Sequence, residues 1–101
     1  MSKAIKISEI NIVPIKPNEG LIAFASFVVD GNFFVSSVGV YTRLNGEGYR
    51  LTYPQRKVGD KNINIFYPIN AEVGKFIEQE VSNKVNEIFN KNVWMQETKE
   101  N

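Results

Sequence analysis

Five cationic side chains fall within residues 43–61: Arg43, Arg50, Arg56, Lys57 and Lys61, set against Glu47 and Asp60. Five cations against two carboxylates give this segment a local charge of +3, in a chain whose net charge is only +1. Guanidinium and ammonium groups on short connections grip phosphate, and each such contact adds salt-dependent affinity. Tyr49 and Tyr53 stand among them, and tyrosines in a basic segment can stack on unpaired bases. The competing reading is a solvated basic hairpin whose tyrosines pack on a sheet. Lys75 is the next cation near enough in sequence to join the group. Lys84 lies nine positions beyond it, about 180° away around a helix, so the two cannot form one patch.

Covalent chemistry has little to work with. The 101 residues contain no histidine and no cysteine. Zinc sites of the Cys/His kind and Ser-His or Cys-His nucleophile pairs are therefore excluded. The seven glycines are scattered as turn residues, and none forms a phosphate-cradling loop. Asp30, Glu47 and Asp60 are the carboxylates a general acid–base pair would need, but each sits in a turn, where acidic residues serve local structure. No enzyme activity, metal, cofactor or small-molecule substrate is expected.

The elements that must carry the basic segment can be read from periodicity. Residues 5–15 read as a strand. Ile10 and Ile12 alternate with Glu9 and Asn11, while Ile5 and Ile7 fall in the opposite phase, which predicts a bulge near Ser8. Asn18-Glu19-Gly20 is a turn. Residues 21–29 form a second strand, with Leu21, Ala23, Ala25, Phe27 and Val29 on one face and Ile22, Phe24 and Val28 on the other. Asp30-Gly31-Asn32 is a hairpin turn. Residues 33–42 form a third strand, with Phe33, Val35 and Tyr41 on one face and Phe34, Val38 and Val40 on the other. Tyr49–Tyr53 is a fourth strand. Residues 54–62 are a polar, basic connection, and residues 63–67 are a short fifth strand stopped by Pro68.

Asn70 is a good helix N-cap, with Glu72 favourably placed in the first turn. Val73, Phe76, Ile77, Val81, Val85, Ile88 and Phe89 then recur as one helical stripe. The sequence reads as a single domain over residues 1–92, with a polar tail at 93–101 that carries Trp94. The 43% apolar and 23% charged fractions are ordinary for a globular chain. Without cysteines there is no disulfide framework. No apolar stretch reaches bilayer-spanning length and no signal-like segment opens the chain, so a cytoplasmic protein is expected.

One helix of this length covers one face of a small sheet. The second and third strands carry large apolar groups on both faces, so something must cover the other side. A second copy of the chain is the simplest cover, which predicts a homodimer formed through the sheet.

Several segments, in order, resemble the SpoVG family, the stage V sporulation protein G or septation protein family of bacteria. They are Ile7-Ser8-Glu9-Ile10-Asn11-Ile12, then Ala23–Gly31 followed by Phe33-Phe34-Val35, then Pro54-Gln55-Arg56-Lys57, and Pro68-Ile69-Asn70 opening the helix. Gln55 stands where the family has Ser, Tyr67 stands where it usually has His, and the 43–49 loop is richer in glycine. The resemblance implies a β-meander with a C-terminal helix that dimerises, and a cytoplasmic regulator that binds DNA, in some members RNA, and influences septation, sporulation or gene expression.

The expectation is therefore an α+β fold: an antiparallel meander of about five strands, then one amphipathic helix. Its function would be nucleic-acid binding through Arg43, Arg50, Arg56, Lys57, Lys61 and Lys75. The alternative is a protein–protein adaptor or inhibitor acting in septation, using an exposed strand edge or the Trp94 tail.

Overall fold

The computed structural model describes residues 5–100, with side chains described through Phe89. The Trp94 tail and its expected partner role lie outside those side chains. The strands are β1 (Ile7–Asn18), β2 (Leu21–Val29), β3 (Phe33–Thr42), β4 (Tyr49–Thr52), β5 (Gln55–Val58) and β6 (Lys61–Asn64), followed by α1 (Ala71–Glu100). β1 to β4 form one antiparallel sheet in chain order, and β5 pairs with β6 in a separate two-stranded sheet. The fold is α+β, a meander capped by one C-terminal helix, as expected.

Two turns follow directly from residue chemistry. Glu19 and Gly20 both have positive φ (53° and 93°), as do Asp30 and Gly31 (53° and 69°). Two successive positive-φ residues give the twist that a tight hairpin needs. Asp30 is also tied back to the residue just before β1: its N–H donates to Lys6 O (2.7 Å), and its Oδ1 accepts from Lys6 N–H (2.8 Å).

Two of the four register shifts in the sheet are bulges marked by a positive-φ strand residue. Pairing passes from Ser8↔Val28 to Asn11↔Ser26, three steps along β1 for two along β2. The extra residue lies beside Glu9, which has φ 51°, and this is the bulge predicted from the phase change near Ser8. A second bulge was not foreseen. Between Ala25↔Val38 and Phe27↔Val35, β3 advances three residues while β2 advances two, and Ser37 has φ 62°. An extra residue reverses the phase of everything after it. Val35 therefore shares the inner face with Val38 and Val40, and all three are buried. The separation of Val35 from Val38 and Val40 expected from simple alternation is corrected by this bulge.

The core forms between the inner sheet face and the helix. Phe27, Val38 and Val40 from the strands meet Ile77, Val81 and Val85 from α1, and all six are fully buried. Ile77, Val81 and Val85 recur every four residues, so one narrow stripe of the helix faces the sheet. Ala23 and Ala25, also buried at the centre of β2, give that stripe little bulk to clear. Phe76 lies off the stripe and is 38% exposed. The helix starts where predicted: Asn70 Oδ1 accepts from the N–H groups of Glu72 (2.8 Å) and Val73 (3.2 Å), which satisfies two otherwise orphaned donors.

The connection expected at 54–62 and the strand expected at 63–67 are instead one hairpin, β5–β6. Gly59, with φ 62°, turns the chain between Val58 and Lys61. Every residue of both strands is exposed. With no buried face there is no apolar alternation, which is the signal by which strands are read from sequence.

Candidate nucleic-acid interface

The six cations singled out from the sequence fall into three places. Arg56, Lys57 and Lys61 lie together on the β5–β6 hairpin. The register pairs Arg56 with Ile63, Lys57 with Asn62 and Val58 with Lys61. Side chains alternate along a strand, so Arg56, Val58, Lys61 and Ile63 share one face. Gln55, Lys57, Asn62 and Asn64 share the other. Arg56 and Lys61 are diagonal neighbours, close enough for one phosphodiester segment to meet both. The hairpin is closed at its base by Ile65 N–H donating to Pro54 O (3.0 Å) and by Gln55 Nε2 donating to Asn64 Oδ1 (2.7 Å).

Arg50 lies on β4, on the sheet face opposite the helix. Its guanidinium sits over the Tyr41 ring, 4.5 Å from the centroid. The cross-strand register sets this contact, because Arg50 pairs directly with Tyr41. The stacking holds the guanidinium flat while its N–H groups stay available at the edge.

Arg43 and Lys75 border a groove on the helix side, together with Tyr49, Glu78 and Asn86. Arg43 Nη2 donates to Glu78 Oε1 at 2.6 Å, with the two side chains 40% and 32% exposed. Among the described residues Arg43 alone of the six cations is held in an ion pair. A paired guanidinium has less charge to offer phosphate than the hairpin cations, which stand in solvent. Glu78 is the residue that sequence reasoning missed. It lies 35 positions from Arg43, and no local pattern announces such a pair.

Tyr49 and Tyr53 face inward, against the base-stacking role considered for them. Both are partly buried against the core. Tyr49 Oη donates to Asn86 Oδ1 at 3.1 Å. Tyr53 packs beside Phe66, with ring centroids 6.3 Å apart. Burial, with a smaller contribution from Glu78, pushes the Tyr53 phenol up to about 12. Its hydroxyl is closed off from solvent and has no hydrogen-bond partner among the described residues.

The sheet face away from the helix keeps apolar groups in the open. Val13 pairs with Phe24, and Val28 with Phe34. Val13 is 53% exposed, Phe24 40% and Phe34 69%. No helix among the described residues is long and apolar enough to cross a membrane.

The SpoVG family model matches residues 5–87, which takes in the whole sheet, the β5–β6 hairpin and the first half of the helix. No curated protein matches the chain.

Proposed function

The chain belongs to the SpoVG family, and from that premise we propose that it is a nucleic-acid-binding regulator, working as a homodimer in a role related to sporulation or septation. The observation that carries the binding reading is the β5–β6 hairpin. It presents three exposed cations in a ribbon of eight strand residues, none held in an ion pair among the described residues. Such a ribbon meets phosphate without first breaking an internal contact. Arg50, held over Tyr41, extends the cationic surface on the sheet side. Lys75 and the paired Arg43 contribute from the helix-side groove.

The dimer reading is supported by the apolar outer face. Val13, Phe24, Val28 and Phe34 are of the size and spacing that a second sheet covers, and a two-fold dimer would carry two hairpins on one assembly. Doubling the phosphate-binding elements raises avidity without any new contact.

The test is fluorescence anisotropy with labelled duplex DNA, single-stranded DNA and RNA across a salt series. Where the hairpin is gripped on both faces, its three cations predict a log–log slope of about −2 to −3, given roughly −0.9 per phosphate on duplex and −0.7 on single strands; a strand lying on one face alone gives a shallower slope. The triple variant Arg56→Ala, Lys57→Ala, Lys61→Ala should lose most of that slope while remaining folded. Absence of binding to all three polymers at low salt would sink the proposal.

A further inference from the structure

A cleft opens where the base of the β5–β6 hairpin meets the outer sheet face at β3 and β4. Its volume is about 750 Å³, and Tyr41, Thr52, Gln55, Asn64, Ile65 and Tyr67 contribute to its walls. Among the described residues no charged side chain lines it. Tyr41 and Thr52 settle low on the sheet because position 39 is glycine. A Cβ there would come within 2.5 Å of Thr52 Oγ1 and 3.2 Å of Tyr41 Cε1.

Three features of the walls belong together chemically. The first is flat aromatic surface: Tyr67 is half exposed, and Tyr41, with Arg50 stacked on it, also lines the cleft. The second is an amide pair. Gln55 Nε2 donates to Asn64 Oδ1 at 2.7 Å, so Gln55 Oε1, an acceptor, and Asn64 Nδ2, a donor, take no part in that bond. An acceptor beside a donor matches the edge of a nucleobase. The third is charge at the rim rather than inside: Arg50 over Tyr41, and Lys57 on the same hairpin face as Gln55. Aromatic surface for a base, amides for its edge and cations for the flanking phosphates are what single-strand recognition requires. A base within a duplex is stacked and paired and cannot enter.

The geometry points to an unpaired nucleobase as the ligand of this cleft, with the base against Tyr67, its edge on the Gln55–Asn64 amides, and its neighbouring phosphates toward Arg50 and Lys57. This rests on the nucleic-acid reading above and narrows it to single strands. Single-stranded RNA and single-stranded DNA offer the same base and phosphate chemistry, and the experiment separates them.

The experiment compares the full chain with its Tyr67→Ala and Asn64→Ala variants, both at exposed positions and both checked for an unchanged melting curve. The probes are labelled oligouridylate, oligothymidylate, an abasic oligonucleotide of equal length, and a duplex. The unmodified protein is expected to bind the base-bearing strands more tightly than the abasic one. Each variant is expected to lose roughly 5-fold or more of single-strand affinity, with duplex binding and the salt slope unchanged. The tighter of the uridylate and thymidylate arms identifies the natural polymer. Equal binding of the abasic strand, or variants that affect single strands and duplex alike or not at all, would overturn the cleft while leaving the cationic hairpin standing. A Tyr67→Ala protein with altered oligomeric mass and intact base preference would also overturn it, making the cleft a subunit contact. Failure to bind any polymer would remove both readings.

Discussion

Arg56 and Lys57, adjacent in sequence, lie on opposite faces of the β5–β6 hairpin, because Arg56 stands across from Ile63 and Lys57 across from Asn62. A bound strand cannot meet both equally. Lys57 shares its face with the amides of the cleft. Lys57→Ala should therefore flatten the single-strand salt slope by about 0.7, the value of one phosphate contact. Arg56→Ala should change it less. Equal effects would mean that the hairpin is gripped from both sides.

The outer sheet face gives the dimer a sharp test. Phe24→Lys places a charge beside Val13, on the outer face that also carries Val28 and Phe34, while leaving the buried inner face untouched. Light scattering should show the unmodified protein at twice the 11.5 kDa of one chain and the variant at the mass of one chain. A monomeric mass for the unmodified protein at all usable concentrations would reject the sheet-mediated dimer.

Gly39 sets how closely β3 and β4 can carry Tyr41 and Thr52. Gly39→Ala drives a methyl group against Thr52 Oγ1, and overpacking of this kind costs about 1–3 kcal/mol. Thr52→Ala in the same chain removes the clashing atom and should recover part of that loss. Urea melts of the two single variants and the double variant measure the coupling directly. Strict additivity would show that the clash is relieved elsewhere.

Tyr53 predicts a pH effect. Its phenol is raised from 10.0 to about 12 in the folded protein, first by burial and then by Glu78. The unfolded chain therefore releases this proton at lower pH than the native one. The contribution of Tyr53 to stability is complete below about pH 10 and is lost as pH rises toward 12. Tyr53→Phe should remove that alkaline loss. It also deletes a hydroxyl without a partner among the described residues, so the melting temperature at neutral pH should hold or rise by a few degrees. A lower melting temperature would reveal a hydrogen bond to the phenol.

Phe27 is fully buried in the sheet, opposite Val35. Phe27→Ala should cost about 3–5 kcal/mol. A domain of this size holds only about 5–15 kcal/mol in all, so chemical denaturation should show a protein close to its folding limit.

The parts of this fold that could be read in advance are those where burial imprints a period. The Glu9 bulge showed because isoleucines on either side of Ser8 changed phase. The helix showed because Asn70 caps it and Ile77, Val81 and Val85 repeat at the helical step. The Ser37 bulge left no such trace: Ser36 and Ser37 are alike, and neither tells which face it occupies. The hairpin was hidden for the opposite reason, since nothing in it is buried. The cations were visible as a cluster in sequence, but pairing and register divided them. Lys57 went to one face and Arg56 to the other, and Arg43 went to Glu78 on the helix. Tyr49 and Tyr53 were legible as aromatic, while their inward direction depends on which residues of β4 the helix covers.

The hairpin is closed at its base by the backbone bond from Ile65 N–H to Pro54 O and the amide bond from Gln55 to Asn64, and no buried core residue comes from its strands. Its sequence is therefore free of the demands that hold the sheet and helix together. Residues 55–64 can be exchanged, shortened or replaced by another ribbon without asking the scaffold to refold. The same property makes this fold a ready frame for grafting: ligand preference can diverge in ten residues while the architecture stays fixed.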